Sequence, residues 1–339
     1  DKGDTDQAIE AYRQAIEIKP DLAEAHYNLG LILLANKETK EAIKSLKRAT
    51  QISPHLSGAF VSIGKIYFMH QEYSKALVEY ELANSKTSRA RALLCLYALG
   101  KYEEFSKRIK NSHDLDKDNI EMASVSAFVS NQINKSNFHP FCKNPLDFLY
   151  FSNIKNHKNN TKAFIDILID ELEQIPSIWS PKKNATKNGF HTTVNLFNKS
   201  QGTISILEKI IRDEIKIYYE KFKSNECVFI DMWPTNISLN GWSIRIHQDG
   251  FQSTHIHPSG WLSGVIYLAL VESEDKNEGA IEFSLHGYDY PIKNENFPKL
   301  RYLPQKGDIV FFPSSLFHHT IPIRNDGERV IVSFDLKPN

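Results

Sequence analysis

The fold of the C-terminal half is decided by one stretch, Gly250-Phe251-Gln252-Ser253-Thr254-His255-Ile256-His257-Pro258. Alternate side chains of a strand share a face, so His255 and His257 are expected to point into one cavity while Ile256 points away. A third histidine, His318, follows a second predicted strand, Ile309-Val310-Phe311-Phe312. Three imidazoles on one side of a metal ion leave its other side open for further ligands. The sequence therefore predicts a metal site made by His255, His257 and His318.

An arginine follows these histidines on a segment of alternating character, Arg329-Val330-Ile331-Val332-Ser333-Phe334-Asp335. The alternation puts Arg329, Ile331 and Ser333 on one face. If that face is interior, a buried arginine requires an anion, and its planar fork matches a carboxylate. Arg329 is thus predicted to bind a carboxylate, although the preceding turn Asp326-Gly327-Glu328 also suits a surface arginine.

Two residues on the strand after the histidine pair are predicted to assist Arg329. Tyr267 is the expected phenolic partner for the same carboxylate, and Ser263 is a further candidate on the same strand face. An ordinary core tyrosine is the alternative for Tyr267. Trp242 and Trp261 are predicted as pocket walls, with ordinary core tryptophans as the alternative.

A rival metal pair is His247 with Asp249, which forms a literal His-x-Asp sequence. The preceding residues alternate like a strand, and Asp249-Gly250 is a pair preferred in tight hairpin turns. Asp249 is therefore expected at a turn, outside the barrel. Because the chain has 13 histidines in 339 residues, a third interpretation is that several histidines are merely polar barrel residues.

Several further stretches extend the pattern. They are Gly241-Trp242-Ser243-Ile244-Arg245, Gly260-Trp261-Leu262-Ser263-Gly264-Val265-Ile266-Tyr267-Leu268, Phe312-Pro313-Ser314, Pro322 and, upstream, Phe141-Cys142-Lys143-Asn144-Pro145-Leu146-Asp147-Phe148. Together with the histidines and Arg329, they resemble the double-stranded β-helix Fe(II)/2-oxoglutarate oxygenases. Within that family they resemble the bacterial and phage group that carries tetratricopeptide repeats before the oxygenase.

The resemblance implies Fe(II), 2-oxoglutarate as co-substrate, and O2. It places the third ligand at His318, so the adjacent His319 is expected to be exposed or behind the ligands. It also implies that 2-oxoglutarate chelates iron through its keto acid, with its far carboxylate on Arg329 and Tyr267. One departure is that the family usually has His-x-Asp where this chain has His257, so a carboxylate such as Asp249 stays an alternative third ligand.

The function that the resemblance implies is a 2-oxoglutarate/Fe(II)-dependent dioxygenase that hydroxylates a protein or peptide. A non-catalytic protein-binding scaffold with an inert barrel is one alternative. A cupin-type metal enzyme that does not use 2-oxoglutarate is the other. Arg329 favours the oxygenase, because neither alternative requires a buried arginine opposite a group of histidines.

The N-terminal third repeats with a period of 34 residues. The repeated positions are Ala8, Ala42 and Ala76; Ala15, Ala49 and Ala83; Pro20 and Pro54; Ala25 and Ala59; and Gly30 and Gly64. This is the tetratricopeptide period, in which small residues let paired helices approach closely. Residues 90–109 are predicted as a last, degenerate repeat with Phe105 at the alanine position. Asp1 falls within a repeat, so the chain is expected to be a fragment of a longer array that recruits a protein or peptide partner.

The expected fold class is two-domain: an all-α tetratricopeptide solenoid, then an α+β double-stranded β-helix (jelly-roll, cupin-like) domain with flanking helices. The predicted boundaries are 1–110 for the repeats, 111–185 for a helical connector and 186–339 for the oxygenase domain. A helix is expected from Thr161 and another across Ile204 to Tyr218, because both segments carry an apolar stripe at helical spacing. Residues 177–188 are predicted as a loop and 227–233 as a strand.

Composition limits the partners. Lys plus Arg equals Asp plus Glu at 41 each, so no net charge favours nucleic acid or an anionic membrane. The longest apolar run, from Trp261 to Val271, has 11 residues and is too short to cross a bilayer. Three scattered cysteines give neither a disulfide framework nor a zinc spacing, and a cytoplasmic location is the expectation. The oligomeric state is left open.

Overall fold

The structure, a computed structural model, describes residues 2–111, 113–180, 185–275 and 277–338. The chain forms two compact units, Asp1–Asn111 and Ser112–Asn339. The first unit is helical and the second contains the sheets. The predicted two-domain fold class is therefore confirmed.

The first unit is a row of antiparallel helices, each packed against its neighbour in sequence. They are α1 (Lys2–Ile18), α2 (Ala23–Ala35), α3 (Thr39–Ile52), α4 (Ser57–Met69), α5 (Tyr73–Ala83), α6 (Lys86–Ala98) and α7 (Tyr102–Asn111).

Small residues at the repeated positions set the distance between these helices. Ala42, Ala59 and Ala76 are fully buried. A Cβ at Gly30 would lie 2.6 Å from Cγ of Leu46, and a Cβ at Gly64 would lie 2.7 Å from the ring of Tyr80. No larger side chain fits there without moving a helix. The 34-residue period thus produces the close helix pairing that the sequence predicts.

The second unit contains the helices α8 (His113–Asp116), α9 (Ile120–Gln132), α10 (Thr161–Glu173), α11 (Gly202–Phe222) and α12 (Val228–Asp231). Its strands are β1 (Tyr150–Asn153), β2 (Ser177–Trp179), β3 (Thr186–Thr192), β4 (Ile237–Gln252), β5 (Leu262–Ala269), β6 (Ile281–Ser284), β7 (Lys299–Tyr302), β8 (Asp308–Pro313), β9 (Phe317–Thr320) and β10 (Arg329–Pro338). Short 3-10 turns lie at Pro145–Phe148 and Ile154–Asn156.

The described strands form two antiparallel sheets. The larger has the order β1-β8-β5-β10-β4-β3-β2, and the smaller has the order β7-β6-β9. Side chains of the two sheets meet, since the ring centroid of Phe283 on β6 lies 5.1 Å from that of Phe312 on β8. On each strand, every second side chain points between the two sheets, so these side chains share one interior. That interior is where the predicted site residues are collected.

Helix α11 covers the outer face of the larger sheet, as its apolar stripe predicts. Leu207, Ile211 and Tyr218 are buried on it, and the Tyr218 ring lies 5.9 Å from that of Phe311 on β8. No helix in the described ranges is long and apolar enough to cross a membrane.

The predictions for residues 227–233 and for Asp249-Gly250 are wrong. Residues 227–233, predicted as a strand, contain α12, because the amides of Val228 and Phe229 are taken by the carbonyls of Pro140 and Phe141. The expected hairpin at Asp249-Gly250 is instead a bulge inside β4. Asp249 has a φ of 59°, and the β3–β4 register jumps between Lys187 and Gly189. The left-handed backbone conformation of Asp249 therefore forms part of a bulge rather than of a turn.

The larger sheet also extends into the predicted connector, 111–185. β1 pairs with β8, and β2 pairs with β3. The loop predicted over 177–188 therefore holds β2 and the start of β3, while its residues 181–184 lie outside the described residues. Short strands at sheet edges carry too few residues to show alternation in sequence.

A buried carboxylate ties α11 to β1. Glu214 is 1% exposed and accepts hydrogen bonds from the Tyr150 hydroxyl at 2.8 Å and from Ser152. His157 Nε2 lies 2.6 Å from its Oε1. Removing the carboxylate leaves these donors unpaired in a buried site, where each unmade bond to a charged group costs about 1.5 to 3 kcal/mol.

We expect Glu214→Ala to lower the free energy of unfolding of the second unit by about 3 kcal/mol. Glu220→Ala on the same helix is the matched control, because its partner Lys223 is exposed, and it should cost at most about 0.5 kcal/mol. Urea unfolding followed by tryptophan fluorescence measures this unit alone, since all 4 tryptophans lie in it. Equal losses for both variants would contradict the role given to Glu214.

Candidate metal centre

The predicted imidazoles meet between the two sheets. Among the described residues, His255, His257 and His318 form a group whose possible ligand atoms all lie within 4.8 Å of one another. His318 is on β9, and His255 pairs with it through two backbone hydrogen bonds of 3.1 Å. The amide of His257 donates to the carbonyl oxygen of Ser314 at 3.0 Å. The histidine pair lies in an extended segment outside the named strands, not in the regular strand that the sequence predicts, and these bonds fix it in place.

In each imidazole ring, one nitrogen forms a hydrogen bond, and this leaves the other nitrogen to face the neighbouring rings. Nδ1 of His255 lies 2.7 Å from the Ser253 carbonyl oxygen, and Nδ1 of His318 lies 3.2 Å from that of Leu316. A carbonyl oxygen only accepts, so each Nδ1 carries the proton and each Nε2 has a free lone pair. Nδ1 of His257 lies 2.7 Å from Oδ1 of Asp335, and its buried Nε2 has no hydrogen-bond partner among the described residues. Converging lone pairs are what a metal cation requires.

Burial keeps the rings of His255 and His318 neutral. It lowers the pKa of His255 to about 4, with a further contribution from the neighbouring His257. Burial also lowers the pKa of His318 well below its usual value, since a charged imidazole would lose its hydration there. A neutral imidazole is the form that binds a metal ion, so His255 and His318 need lose no proton first at neutral pH.

His319 lies apart from this group. It stands opposite Glu282 in the β6–β9 register and is half-buried. Successive strand residues point to opposite faces, so His319 faces away from His318.

The rival pair is not assembled. His247 is half-exposed and lies beside Glu328, with Nε2 3.7 Å from the carboxylate. Its ring stacks at 6.3 Å from that of Trp179. Asp249 is exposed in the β4 bulge, and neither residue belongs to the group of possible ligands.

Arg329 is a fully buried arginine whose donors are largely unused. Its Nη1 donates to the carbonyl oxygen of Gly279 at 2.9 Å. Its Nε and Nη2 have no hydrogen-bond partner within the described part of the chain. Burial lowers its pKa from the usual value, although the guanidinium of an arginine stays charged. An unpaired buried cation of this shape fits a carboxylate, which could accept from both free nitrogens.

Tyr267 adds a third donor beside Arg329. The guanidinium carbon lies 5.0 Å from the centroid of the Tyr267 ring, and the phenolic oxygen is buried without a hydrogen-bond partner among the residues described. Burial raises the pKa of Tyr267 to about 12, so the hydroxyl keeps its proton at neutral pH. The two side chains together offer a site for one anionic group, as 2-oxoglutarate would supply.

Ser263 lies elsewhere than predicted. Its hydroxyl donates to Oδ1 of Asp335 at 2.7 Å and lies 2.8 Å from Oγ of Ser314. Ser263 shares a strand face with Tyr267, but four residues separate them, which is about 13 Å along a strand. The β5–β10 register pairs Ser263 with Asp335 and Tyr267 with Ile331. Ser263 therefore lies at the histidine end of the interior, away from Arg329.

A cavity of about 380 Å³ opens beside the histidines, lined by His191, Trp242, Gln252, His255 and His257 among others. The Trp242 ring stacks 5.8 Å from that of His257, so Trp242 is a wall of this cavity. Trp261 instead packs 5.0 Å from Phe141 and donates its Nε1–H to the Phe229 carbonyl oxygen. Trp261 is thus a core residue rather than the predicted pocket wall.

Family comparisons support the two-part architecture. Residues 240–335 match the family model described as "Putative 2OG-Fe(II) oxygenase". Residues 1–37 match a TPR repeat model, and residues 23–56 match a tetratricopeptide repeat model. No match is found among curated proteins.

Solved structures with partial similarity include HygX from Streptomyces hygroscopicus with nickel and 2-oxoglutarate bound. It is 12% identical with a TM-score of 0.41, and the match covers 59% of this chain and 88% of HygX. A Pseudomonas putida prolyl-4-hydroxylase is 12% identical with a TM-score of 0.38, covering 56% of this chain and 92% of that one. MamA is 20% identical with a TM-score of 0.34, covering 39% and 81%. The chain carries tetratricopeptide repeats followed by a 2OG-Fe(II) oxygenase domain, a family whose cofactors are Fe(II) and 2-oxoglutarate.

Proposed function

We propose that this protein is an Fe(II)- and 2-oxoglutarate-dependent dioxygenase that hydroxylates a protein or peptide. In this proposal His255, His257 and His318 hold the iron, while Arg329 and Tyr267 hold 2-oxoglutarate. The observation that carries it is one interior with two features: three imidazoles whose possible ligand nitrogens lie within 4.8 Å of one another, and a buried guanidinium with two nitrogens that have no hydrogen-bond partner among the described residues.

Each residue has a defined task in this proposal. Arg329 binds the far carboxylate of 2-oxoglutarate through charge-assisted hydrogen bonds, and the Tyr267 hydroxyl donates to the same group. The three histidines supply fixed ligand geometry, and His255 and His318 are neutral because burial lowers the pKa of each. When bound, iron and 2-oxoglutarate supply the oxidative chemistry with O2. Burial of Arg329 and Tyr267 keeps bulk water away from the end of the site that binds the far carboxylate.

The cavity beside His255 and His257 is the proposed place of the substrate. Trp242 forms a wall there, and a flat aromatic surface holds an apolar or cyclic side chain with little loss of conformational entropy. A volume of about 380 Å³ suits one side chain with its flanking backbone. The tetratricopeptide repeats support a protein or peptide as substrate, because such repeats generally mediate protein interactions.

Arg329 argues against the two alternatives. An inert barrel would leave a fully buried guanidinium with two nitrogens that have no acceptor among the described residues, which is costly to folding. A cupin-type enzyme without 2-oxoglutarate would use the histidines and leave Arg329 equally unexplained. A dicarboxylate such as 2-oxoglutarate, bound to the metal at one end and to Arg329 at the other, accounts for both the histidine group and the buried guanidinium.

The test uses the full chain. Anaerobic Fe(II) should bind, and 2-oxoglutarate should then bind only to the iron-loaded protein or markedly more tightly to it. After O2 is admitted, 2-oxoglutarate should be converted to succinate. Mass spectrometry of added cell-extract proteins should then find a species heavier by one oxygen atom. Failure of both binding steps would refute the enzyme proposal, while succinate without any modified protein or peptide would refute the substrate class.

A further inference from the structure

We infer that Asp335 is a positioning residue of the metal centre, which fixes His257 as a ligand and supplies the negative charge that the three-histidine set lacks. This inference rests on the proposed function, because it concerns the same metal ion. His257 stands where the usual ligand set has a carboxylate, so the three proposed ligands are all neutral. Neutral ligands give a divalent cation no counter-charge, and a charge in a partly buried site without one is costly.

The missing negative charge is supplied by Asp335, which contacts His257 directly. Oδ1 of Asp335 lies 2.7 Å from Nδ1 of His257, and Asp335 is 4% exposed. Nδ1 and Nε2 point in different directions from an imidazole ring, so the carboxylate lies behind His257 and leaves Nε2 for the metal. Asp335 is accordingly absent from the group of possible ligands found among the described residues. Its charge acts on the metal through one imidazole.

The carboxylate is itself held. The Ser263 hydroxyl donates to Oδ1 of Asp335 at 2.7 Å, and Oγ of Ser314 lies 2.8 Å from that hydroxyl. Ser314 also accepts the His257 amide through its carbonyl oxygen. One residue, Ser314, thus links the backbone of the proposed ligand to the side chains that hold its carboxylate. This explains why the Ser263 hydroxyl lies here and not at Arg329.

The surrounding backbone packs closely against Ser314 and Asp335 and restricts their movement. A Cβ at Gly260 would lie 2.6 Å from Oγ of Ser314 and 3.3 Å from Oδ1 of Asp335. The amide of Trp261 donates to the carbonyl oxygen of Leu336 at 2.8 Å, directly beside Asp335. Asp335 lies on β10, which pairs with β4 on one side and β5 on the other. A carboxylate on an interior strand is held more rigidly than one on a loop.

A carboxylate that accepts from the second nitrogen of a ligand histidine fixes its tautomer and raises its basicity. Loss of such a partner typically lowers metal affinity by about 10-fold to 100-fold. Asp335→Ala should show the whole effect. Asp335→Asn keeps an oxygen that accepts from Nδ1 but removes the charge, so its affinity should lie between those of the wild type and Asp335→Ala.

The test is an anaerobic titration of the 339-residue chain with Co(II), whose visible absorption bands report affinity and ligand geometry without turnover. Asp308→Asn is the matched control, because Asp308 is a buried interior-strand aspartate that accepts from Tyr302 and Asn153 rather than from a histidine. It should leave Co(II) affinity unchanged. Asp335→Asn, which keeps the side-chain shape, carries the test if Asp335→Ala does not fold.

The outcomes separate this inference from the proposed function. Wild-type Co(II) affinity in every folded Asp335 variant would overturn the inference and leave the proposed function standing. Full affinity in Asp335→Asn with a loss in Asp335→Ala would overturn the charge half of the inference. No Co(II) binding by the wild type would instead refute the metal site on which the proposed function depends.

Discussion

Replacement of Arg329 by alanine is expected to weaken 2-oxoglutarate binding by about 30-fold to several thousand-fold. The guanidinium is fully buried, and two of its nitrogens are free for a carboxylate. Removing one partner of a buried charged pair costs about 2 to 5 kcal/mol, which gives this range of affinities. Anaerobic calorimetry with the metal-loaded protein measures the effect. Metal affinity should stay nearly unchanged, because arginine is not a ligand.

Two further variants sharpen this measurement. Arg329→Lys should restore only part of the affinity, since an ammonium group cannot reproduce the planar fork. Arg245→Ala is the matched control, because Arg245 lies opposite Val330 on the neighbouring strand and forms its ion pair with Glu173. It should bind 2-oxoglutarate like the wild type. Normal affinity in Arg329→Ala, or an equal loss in Arg245→Ala, would move the co-substrate site away from Arg329.

The repeat unit is well predicted from sequence because its signal is local and repeated. Ala42 and Ala76 mark the same place in successive repeats, and Gly30 and Gly64 mark the place where the paired helix approaches. Each repeat packs mainly on its neighbours, so the spacing in sequence is also the spacing in the structure. Phe105 is buried in α7, at the position that the sequence predicts for a last, degenerate repeat.

The sheet unit is less completely predicted because its pairing is not local. Alternation indicates the course of β5, β8 and β10, yet it contains no information about which residues stand opposite each other. The bulge in β4 shows the difficulty: Asp249-Gly250 has the composition of a hairpin turn, and only the pairing with β3 makes it a bulge. Residues 227–233 are similar, since their backbone partners lie at Pro140 and Phe141.

The proposed site shows the same division. His255, His257, His318 and Arg329 can be chosen from sequence, because each residue type has a chemical reason to lie in a closed interior. Asp335 shares the strand face of Arg329, but its role depends on the β5–β10 register and on the path of the loop that carries His257. Sequence reasoning places Ser263 at the wrong end of the interior for a related reason, since strand parity gives the face and not the position along it.

Replacement of His318 by alanine is expected to lower Fe(II) affinity by more than about 100-fold, beyond the loss that follows removal of an outer hydrogen-bond partner. His318 is fixed on β9, its pKa is lowered by burial, and its possible ligand nitrogen lies within 4.8 Å of those of the other two histidines. His255→Ala should cause a similar loss, because His255 is also a proposed ligand. Either variant retains the pair of backbone hydrogen bonds that joins the two residues. Anaerobic titration with metal analysis measures both, with thermal unfolding as the check that each variant folds.

His319→Ala is the decisive control, because it removes an imidazole from the adjacent position on the same strand. His319 faces Glu282 rather than the ligand group, and its pKa is lowered chiefly by burial. Its loss should leave Fe(II) affinity within about 2-fold of the wild type, as expected for a group that contacts neither the metal nor its ligands. His257→Ala distinguishes three ligands from two: if it binds iron as tightly as the wild type, the centre is a two-histidine site. If both His255→Ala and His318→Ala keep full affinity, the proposed site is excluded. Among the described residues, no other group of possible ligands could replace it.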